Sequence, residues 1–298
     1  MRICLILEGC YPYIFGGVST WMHQYINEMK EHEFVLWVIG ANAKDKGKFV
    51  YELPKNVVEV HEVFLDDALR LKDSGKMLHA FTEEETNSLK ELMLCRRPNW
   101  EILFRLYHDQ KLNPMSFLRS EEFLNILTEC CIKDYPYTPF ADAFHTMRSM
   151  LLPVLYLMGS EVPKADVYHA ICTGYGGLLA CLGGHVYKKK VLLTEHGIYT
   201  REREEEIIRA KWVQPAFKKQ WISFFYMLSD IIYTRAFLVS ALFTNAMHAQ
   251  IQMGCDKEKC RVVENGINYE RLSPIPLKED GLTSVRSCVW HRSRISRR

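Results

Sequence analysis

His196 follows the apolar run 191–193 and lies in a polar segment that reads TEHGIYTRERE. A histidine at the end of a strand can accept a proton or orient a hydroxyl group, and the neighbouring Glu195 could fix its tautomer. Arg201 and Arg203 can face a phosphate or a carboxylate. Taken alone, His196 would more often be a hydrogen-bonded structural residue, and the Arg–Glu alternation would be a solvated helical turn.

Gly16 and Gly17 lie in a second candidate segment, EGCYPYIFGGVS, between a first predicted strand and a first predicted helix. Adjacent glycines let the backbone approach a ligand closely, and the helix that follows offers unpaired N–H groups to an anion. This segment could therefore hold a phosphate or a sugar hydroxyl. The alternative is a flexible turn. The GxGxxG pattern of a dinucleotide site is absent.

A third segment, residues 262–268, reads VVENGIN, and a strand that ends in Asn-Gly is usually a turn. The first two segments carry more weight because each follows a strand that should be a neighbour in one parallel sheet. Ligands bind in such sheets beyond the carboxyl ends of the strands. The two segments are therefore expected to meet.

The elements that must position these residues alternate between strands and helices, which predicts an α/β fold with a parallel sheet. A helical insertion at about residues 66–159, with helices near 82–94 and 120–133, interrupts the alternation. The predicted strands are 2–8, 33–39, 57–65, 166–171, 190–195, 238–244 and 261–263, and the other predicted helices are 18–30, 175–187, 217–232 and 246–253.

The composition fits an ordinary globular protein, with 298 residues of which 48% are hydrophobic and 25% charged. Before residue 282 the chain has 33 basic and 36 acidic residues, so no broad basic surface for nucleic acid is predicted. The ten cysteines form no CxxC pair, and no spaced carboxylate cluster indicates a metal site. The first apolar run is too short for a signal peptide, and no segment is expected to span a membrane. The expected location is the cytoplasm.

Three motifs in this order resemble the PelF-type branch of GT-B glycosyltransferases, family four, which acts in bacterial exopolysaccharide synthesis. They read LEGCYPYIFGGVSTWMHQ, LLTEHGIYTRERE and TNAMHAQIQMGCDKEKCRVVENGIN. The resemblance covers most of residues 1–271. It implies that residues 1–271 form a Rossmann-like first domain, facing a second domain across a cleft. The first domain would mainly handle the acceptor, and the second mainly the nucleotide sugar.

The resemblance also implies roles for individual residues. It places His196 at the reaction centre as the catalytic residue, facing the sugar, and Gly16 and Gly17 near the donor phosphates or the transferred sugar. Asn265 and Gly266 resemble the exit into the interdomain linker. The other residues that it implies for substrate binding in the same cleft are Glu195, Tyr199, Arg201, Glu202 and Arg203.

Beyond the linker the sequence departs from the family. The basic pair and the acidic motif with which the family holds the nucleotide and its diphosphate are not present, and the second GT-B domain is expected to be missing. Residues 282–298 read LTSVRSCVWHRSRISRR, which has no apolar periodicity. We interpret residues 272–298 as a linker remnant and a disordered basic tail, produced by a frame shift or a truncated gene. A tail that binds anionic partners is the alternative.

The resemblance predicts the amino-terminal half of a retaining glycosyltransferase, with little activity alone. It would move a hexose from a nucleotide diphosphate sugar, UDP-hexose, to an exopolysaccharide acceptor, without a cofactor or metal. Its partners would be this acceptor, the nucleotide sugar and a membrane-bound polysaccharide synthesis complex, with no nucleic acid; the oligomeric state is not determined. The alternatives are a non-catalytic acceptor-binding or assembly module and, more weakly, a Rossmann-like nucleotide-binding protein.

Overall fold

The computed structural model describes residues 1–72 and 79–266, together with residue 274. In the described residues, seven strands form one sheet in the order β3-β2-β1-β4-β5-β6-β7, and every neighbouring pair is parallel. This confirms the predicted α/β, Rossmann-like fold. The strands are β1 Arg2–Glu8, β2 Glu33–Gly40, β3 Val57–Phe64, β4 Val167–Ala170, β5 Lys190–Glu195, β6 Leu238–Ala241 and β7 Cys260–Val262.

Helices connect the strands, and five α-helices lie between β3 and β4 in the part of this stretch that the structure describes, where the sequence predicts a helical insertion. These five are α2 Glu83–Met93, α3 Trp100–Phe104, α4 Pro114–Leu118, α5 Glu121–Asp134 and α6 Phe140–Met158. The others are α1 Gly17–Glu28, α7 Gly174–Tyr187, α8 Tyr199–Arg209, α9 Lys218–Arg235 and α10 Thr244–Gln252.

The insertion helices begin where the sequence supplies caps. Thr82 and Glu85 form a capping box at the start of α2, in which each side chain accepts a hydrogen bond from the other residue's backbone N–H. The Ser120 side chain accepts a hydrogen bond from the Phe123 N–H at the start of α5. These bonds satisfy N–H groups that a helix leaves unpaired in its first turn.

Alternation along the strands divides the core into two layers, because successive side chains point to opposite faces of a sheet. Leu36 and Val38 of β2 pack with Met22 and Ile26 of α1 on one face. Trp37, between them, belongs to the larger layer on the other face, which contains residues of α6, α7 and α9.

The sheet order reverses its direction at β1, which lies between β2 and β4. Right-handed crossovers on the two sides of this switch point put α1 and α7 on opposite faces, and the carboxyl edge between them is where ligands bind in such sheets. In the described part of the chain, no helix combines the length and apolar character needed to cross a membrane.

The segment after β7 has no regular structure over residues 263–266, and Asn265 and Gly266 are exposed there. The predicted linker remnant and basic tail, residues 272–298, lie outside the described residues apart from residue 274.

Candidate functional site

Three helices begin at the carboxyl edge of the sheet close to the switch point. Helix α1 follows β1, α7 follows β4 and α8 follows β5. The first turn of each helix directs N–H groups and the positive end of the helix dipole toward this edge. What occupies each of these helix starts determines where the chain can receive a ligand.

Glu8, the last residue of β1, occupies the start of α7. Its carboxylate accepts hydrogen bonds from the Gly176 N–H at 3.2 Å and from the Tyr199 hydroxyl at 3.1 Å. Gly174 permits this arrangement, since it has φ +64° and a Cβ there would overlap the Tyr199 ring. Burial raises the pKa of Glu8. The start of α7 is therefore closed by the protein's own carboxyl group.

Glu195, the last residue of β5, occupies the start of α8. Its side chain is 2% exposed. It accepts hydrogen bonds from the Tyr199 N–H at 3.2 Å, the Tyr233 hydroxyl at 2.8 Å and the Gln250 side-chain amide at 3.0 Å. Burial raises the pKa of Glu195. Glu195 thus joins β5 to α8, α9 and α10 and closes a second helix start.

The start of α1 differs from the other two because no carboxylate of the described residues bonds its first turn, although the capping residues of α7 and α8, Thr173 and Ile198, make no side-chain hydrogen bond either. Gly16 is the capping residue, and no side-chain hydrogen bond is made there. Gly16 is exposed, and a Cβ added to it would have no neighbour within 4 Å. Of the three helices, α1 therefore keeps uncapped N–H groups beside open space, which is the arrangement that binds anions and polar oxygens.

His196 lies against α1. The rings of His196 and Trp21 have centroids 4.4 Å apart and planes at 73°, an edge-to-face contact. Trp21 also stacks on Tyr25, with centroids 5.2 Å apart. The Nε2 atom of His196 is buried and has no hydrogen-bond partner, and burial lowers the pKa of His196 to about 4. At neutral pH the imidazole is therefore uncharged, and its Nε2 atom has no partner among the described residues.

A second histidine, His169 on β4, lies on the same face. Its Nε2 atom is 2.8 Å from the Thr194 hydroxyl, which is 2.7 Å from the Ser240 hydroxyl. Its Nδ1 atom is buried without a partner. Burial, with a smaller effect from repulsion between the protonated forms of His169 and His196, lowers the pKa of His169 to about 4. A row of neutral polar groups therefore crosses β4, β5 and β6 beside His196.

The expectation that Glu195 fixes the tautomer of His196 does not agree with the observed contacts. The Glu195 carboxylate bonds residues of α8, α9 and α10, whereas the His196 ring contacts Trp21 of α1 on the other face. The physical reason is the strand alternation, which sends consecutive side chains to opposite sides of the sheet.

The remaining predicted residues lie along α8. Tyr199 is buried and bonds Glu8, and Arg203 is half-buried, with its guanidinium 5.2 Å from the Tyr199 ring centroid. Arg201 and Glu202 are exposed, and the Glu202 carboxylate packs so closely on Gly197 that a Cβ there would overlap it. Only Arg201, Glu202 and Arg203 of this set are therefore open to a ligand.

The structure thus brings Gly16 and Gly17, at the start of α1, to the same edge as His196. Sequence reasoning missed Glu8 and His169 as parts of this edge. A signal for the first was present in the segment TGYGG, residues 173–177, where glycines after a strand allow a close approach to a helix start. No signal marked His169, because its partners come from other strands. Among the described residues, no group of His, Cys, Asp and Glu could hold a metal ion.

Residues 1–258 match the model of a family described as a domain of unknown function, DUF3492. The chain belongs to this family. The match contains the first six strands of the DUF3492 chain and every part of the edge described above. No curated protein matches the chain.

The chemistry available to the DUF3492 chain at this edge follows from its charges. Uncapped N–H groups at α1 can bind phosphate or hydroxyl oxygens, and the neutral His196 can donate or accept one hydrogen bond. With a pKa of about 4, His196 is a poor cation at neutral pH and is better suited to hold a hydroxyl group than to neutralise a phosphate.

Proposed function

We propose that the DUF3492 chain supplies the sugar- and acceptor-binding side of a retaining glycosyl-transfer site. The observation that carries this proposal is the contact between Trp21 and His196, 4.4 Å between centroids, beside the one helix start of the three whose first turn bonds no carboxylate of the described residues. The resemblance of the three motifs to GT-B enzymes of the PelF type supports the same assignment.

In the proposed reaction, the C1–O bond between a hexose and a nucleoside diphosphate breaks, and a C1–O bond to an acceptor hydroxyl forms. The proton of that hydroxyl passes to the departing phosphate oxygen, so atoms and charge balance. The N–H groups at the start of α1 stabilise negative charge on the oxygens beside them. His196 bonds a hydroxyl group of the hexose and fixes its orientation, which is the main contribution that positioning makes to such a step.

The side chains of His169, Thr194 and Ser240 lie on β4, β5 and β6, next to the segment that contains His196. Each of these side chains is buried and bonds the next, so together they hold β4, β5 and β6 in register beneath the His196 segment. The hydrogen bonds join side chains of three neighbouring strands, while the Nδ1 atom of His169 is left without a partner. We assign them a positioning role.

We further propose a UDP-hexose as the donor, a growing exopolysaccharide as the acceptor and the cytoplasm as the location. The donor assignment rests on the resemblance, since the resembling enzymes hold the nucleotide mainly on their second domain.

The test combines binding with transfer. The 298-residue chain is mixed with a separately expressed nucleotide-binding domain of a PelF-type enzyme, and incorporation of radiolabel from UDP-glucose into oligosaccharide is measured. We expect incorporation to fall at least a hundredfold in His196→Ala and to stay unchanged in His32→Ala. His32 is a matched control because it lies between α1 and β2, at the opposite edge of the sheet.

Two results would count against this function. Equal transfer by the wild type and His196→Ala would remove His196 from the reaction. Binding of oligosaccharide, measured by calorimetry, that depends on His196 but is never accompanied by transfer would favour the acceptor-binding module instead.

A further inference from the structure

The α8–α9 tip, residues 208–219, combines exposed apolar side chains with basic ones. It reads IRAKWVQPAFKK and joins the end of α8 to the start of α9. Ile208 is 57% exposed and Trp212 is 66% exposed. Most of the other residues of the tip are exposed as well, so it protrudes from the protein. Exposed apolar side chains among polar ones mark surfaces that bind proteins or membranes.

Contacts with the rest of the protein hold the tip in place. Val213 and Phe217 are buried, and the Phe217 ring packs on Tyr135, with centroids 4.9 Å apart. The Trp212 ring makes an edge-to-face contact with Trp221 of α9, with centroids 5.5 Å apart. Trp212 therefore stays exposed in a segment that is anchored on both sides of it.

The charges of the tip define the class of partner. Residues 207–229 contain no acidic residue and four basic ones, Arg209, Lys211, Lys218 and Lys219. Among the described residues, neither Lys211 nor Lys219 forms an ion pair, whereas Arg209 contacts Glu205 at 3.5 Å. The acidic residues that precede the tip on α8, residues 204–206, each contact another side chain. The tip is thus locally cationic, although residues 1–281 have more acidic than basic residues.

The tip lies on the same side of the sheet as the candidate site. Helix α8 begins at the carboxyl edge, after β5, and α9 ends two residues before β6 begins. Because parallel strands all begin at the amino edge, the start of α9 points to the carboxyl edge. Ser229 of α9 bonds Thr173 at the start of α7. Lys218, the first residue of α9, lies about 16 Å from Ser229 along the helix.

We propose that the α8–α9 tip binds the surface of a bilayer that contains anionic lipids. Trp212 and Ile208 enter the headgroup region, and the basic side chains lie near lipid phosphates. Tryptophan suits this region because its ring is apolar and its N–H group is polar. A protruding tip offers no groove for an acidic peptide, which favours a lipid surface as the partner. The proposal does not rest on the proposed function, because lipid binding can occur with or without transfer.

The first test measures sedimentation of the full chain with vesicles. One set contains phosphatidylcholine alone, and the other also contains phosphatidylglycerol. We expect binding to the mixed vesicles that weakens as salt is added. The double variant Lys211→Glu/Lys219→Glu should bind them about thirtyfold more weakly or less, since each lysine near an anionic surface contributes about fivefold.

The matched control is Lys30→Glu/Lys164→Glu, which makes the same change of charge. Both lysines are exposed, and they precede β2 and β4 at the amino edge of the sheet. This variant should bind the mixed vesicles as the wild type does. His196→Ala should also bind them normally, while losing the proposed transfer, so the two proposals can fail separately.

The second test measures insertion of Trp212. Mixed vesicles that contain brominated phosphatidylcholine should quench tryptophan fluorescence, because an interfacial side chain enters the boundary of the acyl chains. The quenching should decrease in Trp212→Phe and persist in Trp100→Phe, which changes a buried indole of the helical insertion.

Three results would overturn the proposal. The first is equal binding to both kinds of vesicle, or to neither. The second is equal binding by the two charge-reversal variants, which is expected if the arginines of residues 282–298 make the contact instead. The third is quenching that Trp212→Phe leaves unchanged, which is expected if the tip binds a protein or a second copy of the chain.

Discussion

Trp21 and His196 are in edge-to-face contact, 4.4 Å between ring centroids, although they belong to connections that follow different strands. Trp21 lies on α1, after β1, and His196 follows β5, with β4 between these two strands in the sheet. Such an aromatic pair contributes about 0.5–1.5 kcal/mol beyond its burial. The contact fixes the imidazole next to the uncapped start of α1, and it makes Trp21 the residue through which α1 positions His196.

Replacement of Trp21 by alanine should raise the pKa of His196. Burial lowers that pKa from 6.5 to about 4, and Trp21 provides part of the burial. We expect the His196 pKa to move toward 6.5 in Trp21→Ala, measured by NMR titration of the imidazole carbon-bound protons. The matched control is Trp212→Ala, which removes a largely exposed indole that packs on Trp221. A titration that is identical in both variants would show that Trp21 does not shield His196.

Acid should destabilise the protein through His169. Its pKa is about 4 in the fold against 6.5 as the ordinary value, so the unfolded chain binds more protons between these values. The unfolding free energy therefore falls as the pH decreases from 6.5 to 4, by about 3 kcal/mol for this group at 1.36 kcal/mol per pKa unit. Urea denaturation of His169→Gln at pH 7 and pH 5 should show a smaller decrease than the wild type does. An unchanged decrease would contradict the buried, neutral state of His169.

Glu195 should have the opposite pH dependence. Its pKa is raised above the ordinary 4.5, so the folded chain binds more protons and the unfolding free energy falls as the pH rises through the folded pKa. Glu195→Gln keeps an acceptor oxygen and loses this dependence, so its stability relative to the wild type should improve as the pH rises above 4.5. Glu195→Ala leaves Tyr233, Gln250 and the Tyr199 N–H without their acceptor, and it should cost about 3 kcal/mol or more. Parallel pH profiles for Glu195→Gln and the wild type would refute the assignment.

Gly174 should not tolerate a side chain. Its φ of +64° alone costs a non-glycine residue about 1–2 kcal/mol. The overlap with the Tyr199 ring adds about 1–3 kcal/mol of overpacking. Gly47 is a matched control, because it has φ +69° but nothing within 4 Å of an added Cβ. We expect Gly174→Ala to lower the unfolding free energy more than Gly47→Ala does, in guanidinium titrations followed by circular dichroism. Equal losses would mean that Tyr199 moves aside without cost.

Much of the fold could be predicted from sequence because apolar periodicity reflects local geometry. The predicted strand at 190–195 agrees with β5 to the residue, and the helix predicted at 175–187 begins one residue earlier, at Gly174. The parallel arrangement also followed from the alternation of strands and helices, since each crossover is long enough to return the chain in the same direction. These features depend on residues close together in the chain.

By itself, the sequence determined which segments could do chemistry: the diglycine segment, and the segment that contains His196. Only the tertiary structure decided which side chains within them face one another. Glu195 and His196 are adjacent in the chain, yet they lie on opposite faces of the sheet, and Glu8 and Glu195 close two helix starts while α1 remains uncapped. The physical reason is that contacts between separate strands depend on the order of the strands in the sheet, which the whole fold decides and which leaves no mark in a single segment.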